Sequence, residues 1–272
     1  MTATTERPAT TNVILHESAE VYHAKAKENL SSHQLGDFRK CPLLYRKKRQ
    51  GLIPDEDRPA YLVGRALHAL VLEGRDRFEA EFAAGGPINP KTGEFFGTST
   101  KAWAEWAAAQ GKAVLTLAQR DLVENMTDGV RANATAVNLL TSGVAEGVIR
   151  TEYCGMPCQI RMDWFDPHQS LVDLKTCDDL TWFEADARRY GYVHQMAFYR
   201  AIVQQALGIP TPVHFIAVEK KEPYRCGVWA VHQDALAQAQ KENEAAIERL
   251  KRCQANDHWP TGYEEKRLFD SV

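Results

Sequence analysis

Ser170-Leu171-Val172-Asp173-Leu174-Lys175-Thr176 is a run of strand formers carrying two opposite charges. Residues two apart on a strand point to the same face, so Asp173 and Lys175 share a face and Leu174 points to the other. Upstream, Cys158-Gln159-Ile160-Arg161-Met162-Asp163-Trp164 reads as a strand, joined to the first by the turn Asp166-Pro167-His168-Gln169. Val148-Ile149-Arg150-Thr151-Glu152-Tyr153 reads as another, before the turn Gly155-Met156-Pro157. Three short strands with these turns predict an antiparallel meander, and hairpin pairing brings Asp163 alongside Asp173. Converging carboxylates repel unless a cation sits between them. Mg²⁺ takes oxygen ligands and keeps waters, so two carboxylates and a substrate phosphate suit it. A neighbouring lysine can orient a water and offset charge at a phosphoryl group. The Asp-x-Lys triplet alone is weak evidence, because an exposed Asp–Lys pair on a strand is the commoner occurrence; the strand context and the preceding Asp163 add to it.

Downstream, a helix over about 183–207 ends at the stop signals Gly208 and Pro210. Strands near 213–219 and 224–231 follow, then a helix over about 233–253. Upstream the pattern is helical. Ser31 or Ser32 can cap a helix whose face carries Leu35 and Phe38, with a kink or break at Pro42. Residues 59–73 give a second helical stripe through Leu62, Ala66, Ala69 and Leu70. Residues 85–98 read as a loop, and helices follow near 99–110 and 116–134. The fold class expected is α/β or α+β, a mixed central sheet flanked by helices with a helical N-terminal part. The organisation expected is a flexible or loosely docked arm over 1–28 and one domain over 29–272, helical to 145 and sheet-based from 146.

Four segments in this order resemble the PD-(D/E)XK nucleases of the RecB/RecE branch. They are Gly64-Arg65-Ala66-Leu67-His68, Arg161-Met162-Asp163-Trp164, Val172-Asp173-Leu174-Lys175-Thr176 and Gln195-Met196-Ala197-Phe198-Tyr199, and Cys41-Pro42-Leu43-Leu44-Tyr45 adds to the match. The resemblance runs from about 30 to 265 and is nearest to RecE-type exonuclease domains. It implies a restriction-endonuclease-like core. It implies that His68, Asp163, Asp173 and the Leu174 carbonyl hold Mg²⁺ (or Mn²⁺), that Lys175 is the catalytic lysine, and that Gln195 and Tyr199 lie near it and the DNA. It also implies hydrolysis of linear double-stranded DNA from its ends, 5′ to 3′, in recombination, a ring-shaped homo-oligomer, and a RecT-like annealing partner. RecB-like or CRISPR-adaptation-type nucleases of other polarity, and a non-catalytic DNA-binding protein of the same fold, are the alternatives. From the residues themselves, Gln195 and Tyr199 share a helix face, and Gly64 leaves room for another backbone near His68. A packed core histidine is the plainer reading of His68 taken alone.

Net charge is −3, so binding to nucleic acid requires local positive charge. The candidates are Arg161, Arg65, and the run Arg46-Lys47-Lys48-Arg49, with Arg39 and Lys40 beside it and Lys220 and Lys221 weaker. Their alternative is a solvated basic face. Arg161 can instead partner the acids. Glu146 and Glu152 are further acids just upstream, either of which can add an outer or water-mediated ligand. The six cysteines include no CxxC pair, which points to reduced thiols and a cytoplasmic setting. They are too few and too scattered for the iron–sulfur cluster that some of the branch carry. No apolar run reaches membrane-spanning length.

Overall fold

The computed structural model describes residues 13–54 and 59–268. The architecture expected from the sequence is found: a mixed five-stranded sheet with helices on both faces. Ser18 caps the short α1 (Ala19–Ala24). Ser31 caps α2 (Ser32–Lys40) through a capping box with Gln34, two amides being satisfied reciprocally. At Cys41 the chain is extended and Pro42 opens α3 (Pro42–Arg49), so the proline breaks the helix. α4 (Pro59–His68) runs into a π-helical turn, Ala69–Glu73. Then come α5 (Arg75–Glu81), β1 (Phe82–Ala84), α6 (Lys101–Ala109), β2 (Ala113–Leu115), α7 (Leu117–Ala132) and α8 (Ala134–Leu139). Of these, α5, α8, β1 and β2 are too short to show a period, and the sequence reading does not contain them.

The sheet is made of β3 (Val144–Tyr153), β4 (Met156–Asp166), β5 (Ser170–Cys177), β6 (Val213–Glu219) and β7 (Cys226–Ala230), in that spatial order. β3, β4 and β5 are the predicted meander, and β7 returns antiparallel to β6. β5 and β6 are parallel, joined by a crossover through α9 (Phe183–Tyr190) and α10 (Tyr192–Leu207). The single helix predicted here is two, because Gly191 adopts φ 73°, a left-handed conformation that ends α9. α11 (Gln233–Asn256) is the last helix of the described residues.

Leu35, Phe38, Phe198, Ile202 and Leu250 pack on one face of the sheet; Leu67, Leu70, Val123, Met126 and Leu139 pack on the other. The described part of the expected arm is docked. Leu15 exchanges backbone hydrogen bonds with Val148 on the outer edge of β3 (2.8 and 2.9 Å), Glu17 pairs with Arg150, and Tyr22 is buried. The segment thereby covers backbone groups that an edge strand leaves open. Residues 1–12 of that arm lie outside the described residues. No described helix is long and apolar enough to cross a membrane.

Candidate active site

The site arises where the β4–β5 ladder stops. Its pairs are Asp166↔Ser170, Phe165↔Leu171 and Trp164↔Val172, and beyond them the strands part. Buried backbone groups released by such a fork must find other partners. At Leu174 both do: its N–H donates to Asp163 Oδ2 at 2.8 Å, and its carbonyl lies 2.8 Å from His68 Nε2. One backbone unit on β5 thus joins an acid from β4 to an imidazole from α4. The Leu174 side chain is buried in the opposite face, as the alternation requires.

Glu146 completes the group. It is a non-glycine residue at φ 54° within β3, a conformation that costs about 1–3 kcal/mol and is found where surrounding structure demands it. Its carboxylate stands 3.9 Å from His68 Nδ1, and Asp163 Oδ2 stands 3.7 Å from the same nitrogen. Ligand atoms of His68, Glu146 and Asp163 all lie within 4.8 Å of one another. Arg161 reaches Glu146 Oε2 with Nε at 2.7 Å, though outside hydrogen-bond geometry. Of the two roles open to Arg161, partner of the acids is the one this geometry matches. Asp173 is not part of that trio. Its Oδ1 accepts from Gln195 Nε2 at 3.2 Å, and its Oδ2 is buried, contacts Lys175 Nζ at 2.6 Å and has no hydrogen-bond donor. Lys175 lies 4.9 Å from the centre of the Tyr192 ring. Gln195 also donates to Tyr199 Oη at 3.4 Å. Tyr199 is itself buried, so it braces Gln195 from behind.

Burial and the nearby Asp163 charge push Asp173 up to about 6, against the pull of Lys175. Burial works against the His68 cation, but Asp163 and Glu146 outweigh it and raise His68 to about 9. Lys175 is held above the usual lysine range, burial being outweighed by Asp173 and Asp163. Three carboxylates thus stand beside three cationic groups in one largely buried place, and burial weighs most on Asp173. An acid whose buried oxygen lacks a donor, two further carboxylates, a carbonyl and an imidazole together make a donor set that fits a hard divalent cation. His68, Glu146 and Asp163, whose ligand atoms converge, are the groups that would hold it, with Asp173 and the Leu174 carbonyl beside them.

The other expectations fare differently. An added Cβ at Gly64 would meet nothing within 4 Å, so no backbone approaches there; the glycine leaves open space one turn before His68. Glu152 is exposed on β3, away from the trio. Arg65 is exposed on α4. Of the basic run on α3, Arg46 pairs with Asp257 and lies over Trp259, Lys48 pairs with Asp37, and Arg49 donates to the carbonyls of Ala26 and Lys27. Lys47 is exposed. Lys220 and Lys221 pair with Asp178 and Asp179. All six cysteines are free thiols, and burial pushes Cys158 and Cys226 up to about 12 and Cys177 to about 11. No thiol joins the cation-binding group among the described residues. In the sequence Glu146 reads only as an outer ligand. Its one signal is an acid two residues before Val148, where the strand is expected to begin; β3 in fact begins at Val144 and contains it.

The family model described as a PDDEXK-like domain of unknown function, DUF3799, matches residues 31–271. The chain belongs to this family. Among solved structures, this PDDEXK-like chain is similar to a candidate exonuclease from Eubacterium rectale, with a TM-score of 0.68, 20% identity, and coverage of 95% of this chain and 96% of that one. At that identity the likeness is one of fold. LHK-Exo, an alkaline exonuclease from Laribacter hongkongensis, overlaps with a TM-score of only 0.26 at 17% identity, over 60% of this chain and 90% of its own. Its complex with dAMP overlaps at 0.28 and 18% identity, over 59% and 89%. These two scores are too low to carry an argument. No curated protein matches the chain.

Proposed function

We propose that this PDDEXK-like chain is a divalent-cation-dependent exonuclease that hydrolyses phosphodiester bonds of linear double-stranded DNA. The observation that carries the reading is Leu174: its amide held by Asp163 and its carbonyl at His68, with Asp173 and Lys175 flanking it on the strand. When bound, Mg²⁺ or Mn²⁺ supplies Lewis acidity toward the scissile phosphate and an attacking water. The chain's own residues do the rest. Asp163, fixed by the Leu174 amide, and Asp173, fixed by Gln195, keep their oxygens in place before substrate arrives. Lys175 keeps its proton and brings positive charge to the phosphoryl oxygens, where negative charge grows as water adds. Arg161 keeps Glu146 turned inward.

The finer reading follows the resemblance of the sequence to the RecB/RecE branch: 5′-to-3′ polarity, 3′ single strands left for a RecT-like annealing protein, a ring of identical subunits around DNA, and a cytoplasmic setting in keeping with the free thiols. Linear duplex labelled separately at each 5′ and 3′ end, incubated with Mg²⁺, Mn²⁺ or chelator, tests this. Release of nucleotides with either ion, beginning from the 5′ label, supports it. No release with any divalent ion would favour a DNA-binding protein of the same fold.

A further inference from the structure

Several of the chain's arginines are aimed by neutral partners and gather in one place. A cleft of about 580 Å³ lies between the end of α2, the last turns of α11 and the segment that follows it. Arg39, Lys40, Arg249, Arg252 and Arg267 line it, and Tyr263 stands at its mouth; no Asp or Glu is among its lining residues. Arg39 is fastened to Asn243 of α11, Arg249 lies over the Phe38 ring at 5.9 Å, and Arg267 lies over the Tyr263 ring at 4.2 Å. These contacts orient the guanidinium groups without neutralising them. In a chain of net charge −3, five cations around one cleft are a strong local excess.

A second cleft, of about 720 Å³, shares Arg39, Arg249 and Arg252 and extends to His194. His194 immediately precedes Gln195, the residue that holds Asp173. The two clefts share three arginines and form one groove along α11 that reaches α10 at His194. The acids on its rim have partners of their own: Glu242 is hydrogen-bonded to His194 and Glu248 is paired with Lys251. The stretch of α11 that lines the groove, from Glu242 to Asn256, is about 21 Å long at 1.5 Å per residue. That is the length of about six nucleotides at the 3.4 Å spacing of one strand of B-form DNA.

We infer that this groove along α11 binds the phosphate backbone of the DNA strand running to or from the active site. The inference takes the polymer's identity from the nuclease reading. A row of arginines along one helix is suited to phosphate contact without sequence readout. Tyr263, 73% exposed, offers a ring on which a base can stack.

The test measures binding of a 20-nucleotide DNA in chelator, so that cleavage plays no part, over a series of salt concentrations. Arg249 and Arg252 are both exposed, and their replacement leaves the core intact. Each phosphate contact contributes about 0.9 to the slope of log K against log salt for duplex and about 0.7 for single strand. R249Q/R252Q is expected to lower the slope by about 1.4 to 1.8, while a charge-matched pair outside the groove, K91Q/K101Q, leaves it unchanged. An unchanged slope in the folded R249Q/R252Q protein overturns the inference, as does an equal fall in the control pair. Displacement of the oligonucleotide by an equimolar free deoxynucleoside monophosphate also overturns it, in favour of a nucleotide pocket. A chain that binds DNA in this way but never cleaves it would sink the nuclease reading and leave the groove standing.

Discussion

Asp173 is the residue whose replacement separates stability from function. Its carboxyl is 1% exposed and is pushed up to about 6 from an ordinary 3.8, burial being the largest cause. A carboxyl raised on folding binds its proton more tightly in the native chain. Its contribution to stability is full below the unfolded value and is lost as pH rises through the folded one, here between about pH 4 and 6. At 1.36 kcal/mol for each pH unit, that window takes about 3 kcal/mol from the cation-free wild type. Asp173→Asn removes the titration. It also removes a partner of Lys175, which shifts the mutant's stability by a constant offset. The difference between the two proteins should therefore move by about 3 kcal/mol in the mutant's favour from pH 4 to pH 7. With an unfolding entropy of about 2.1 cal/mol/K per residue, this is a relative gain of about 5 °C in Tm. Thermal unfolding of both proteins in chelator at four pH values measures it. Saturating Mn²⁺ at pH 7 should cancel most of that shift: 100-fold above its Kd, a cation bound only by the native wild type adds about 2.7 kcal/mol. A Tm difference flat with pH, or equal stabilisation of both proteins by the cation, would refute the reasoning.

Lys175→Ala should lower kcat on linear duplex by about 10²–10³-fold with KM changed far less, the signature of charge stabilisation late in the reaction; a loss confined to KM would move Lys175 out of the chemistry. Because His68 in the cation-free protein keeps its proton up to about pH 9, cation binding must displace it. Calorimetric affinity for Mn²⁺ should rise about tenfold per pH unit from 7 toward 9, one proton being released per site; pH-independent affinity would remove His68 from the ligand set. Glu146→Gln should weaken cation binding by about 10–100-fold, and wild-type affinity would leave Glu146 as a partner of Arg161 alone. Gly64→Ala fills open space in a helix and should stabilise the fold by about 0.5–1 kcal/mol; a destabilised variant would show that the space is not as open as it stands.

The amino-acid sequence alone determined the elements that rest on local signals. Alternation set Asp173 and Lys175 on one face of β5, turn residues delimited the meander, and a serine at 31 or 32 with Pro42 marked the start and the interruption of the first helix, where the structure has Ser31 as the cap and a break at the proline. The order of short motifs carried the PD-(D/E)XK superfamily, which the match to a PDDEXK-like family over 31–271 bears out. Tertiary structure decided what depends on contacts far apart in the chain. Glu146 meets Asp163 because β3 departs from regular strand conformation at that one residue, and no period records a single positive φ. Leu174 joins α4 to β4 only because the β4–β5 ladder stops at Trp164, a matter of strand divergence rather than composition. Arg46 and Arg49 look as available in the sequence as Arg249 and Arg252. The first pair is tied to Asp257 and to the carbonyls of Ala26 and Lys27, whereas the second faces an open cleft. Charge is written in the residues, but which charges remain unneutralised is fixed by the partners that folding brings within a few ångströms.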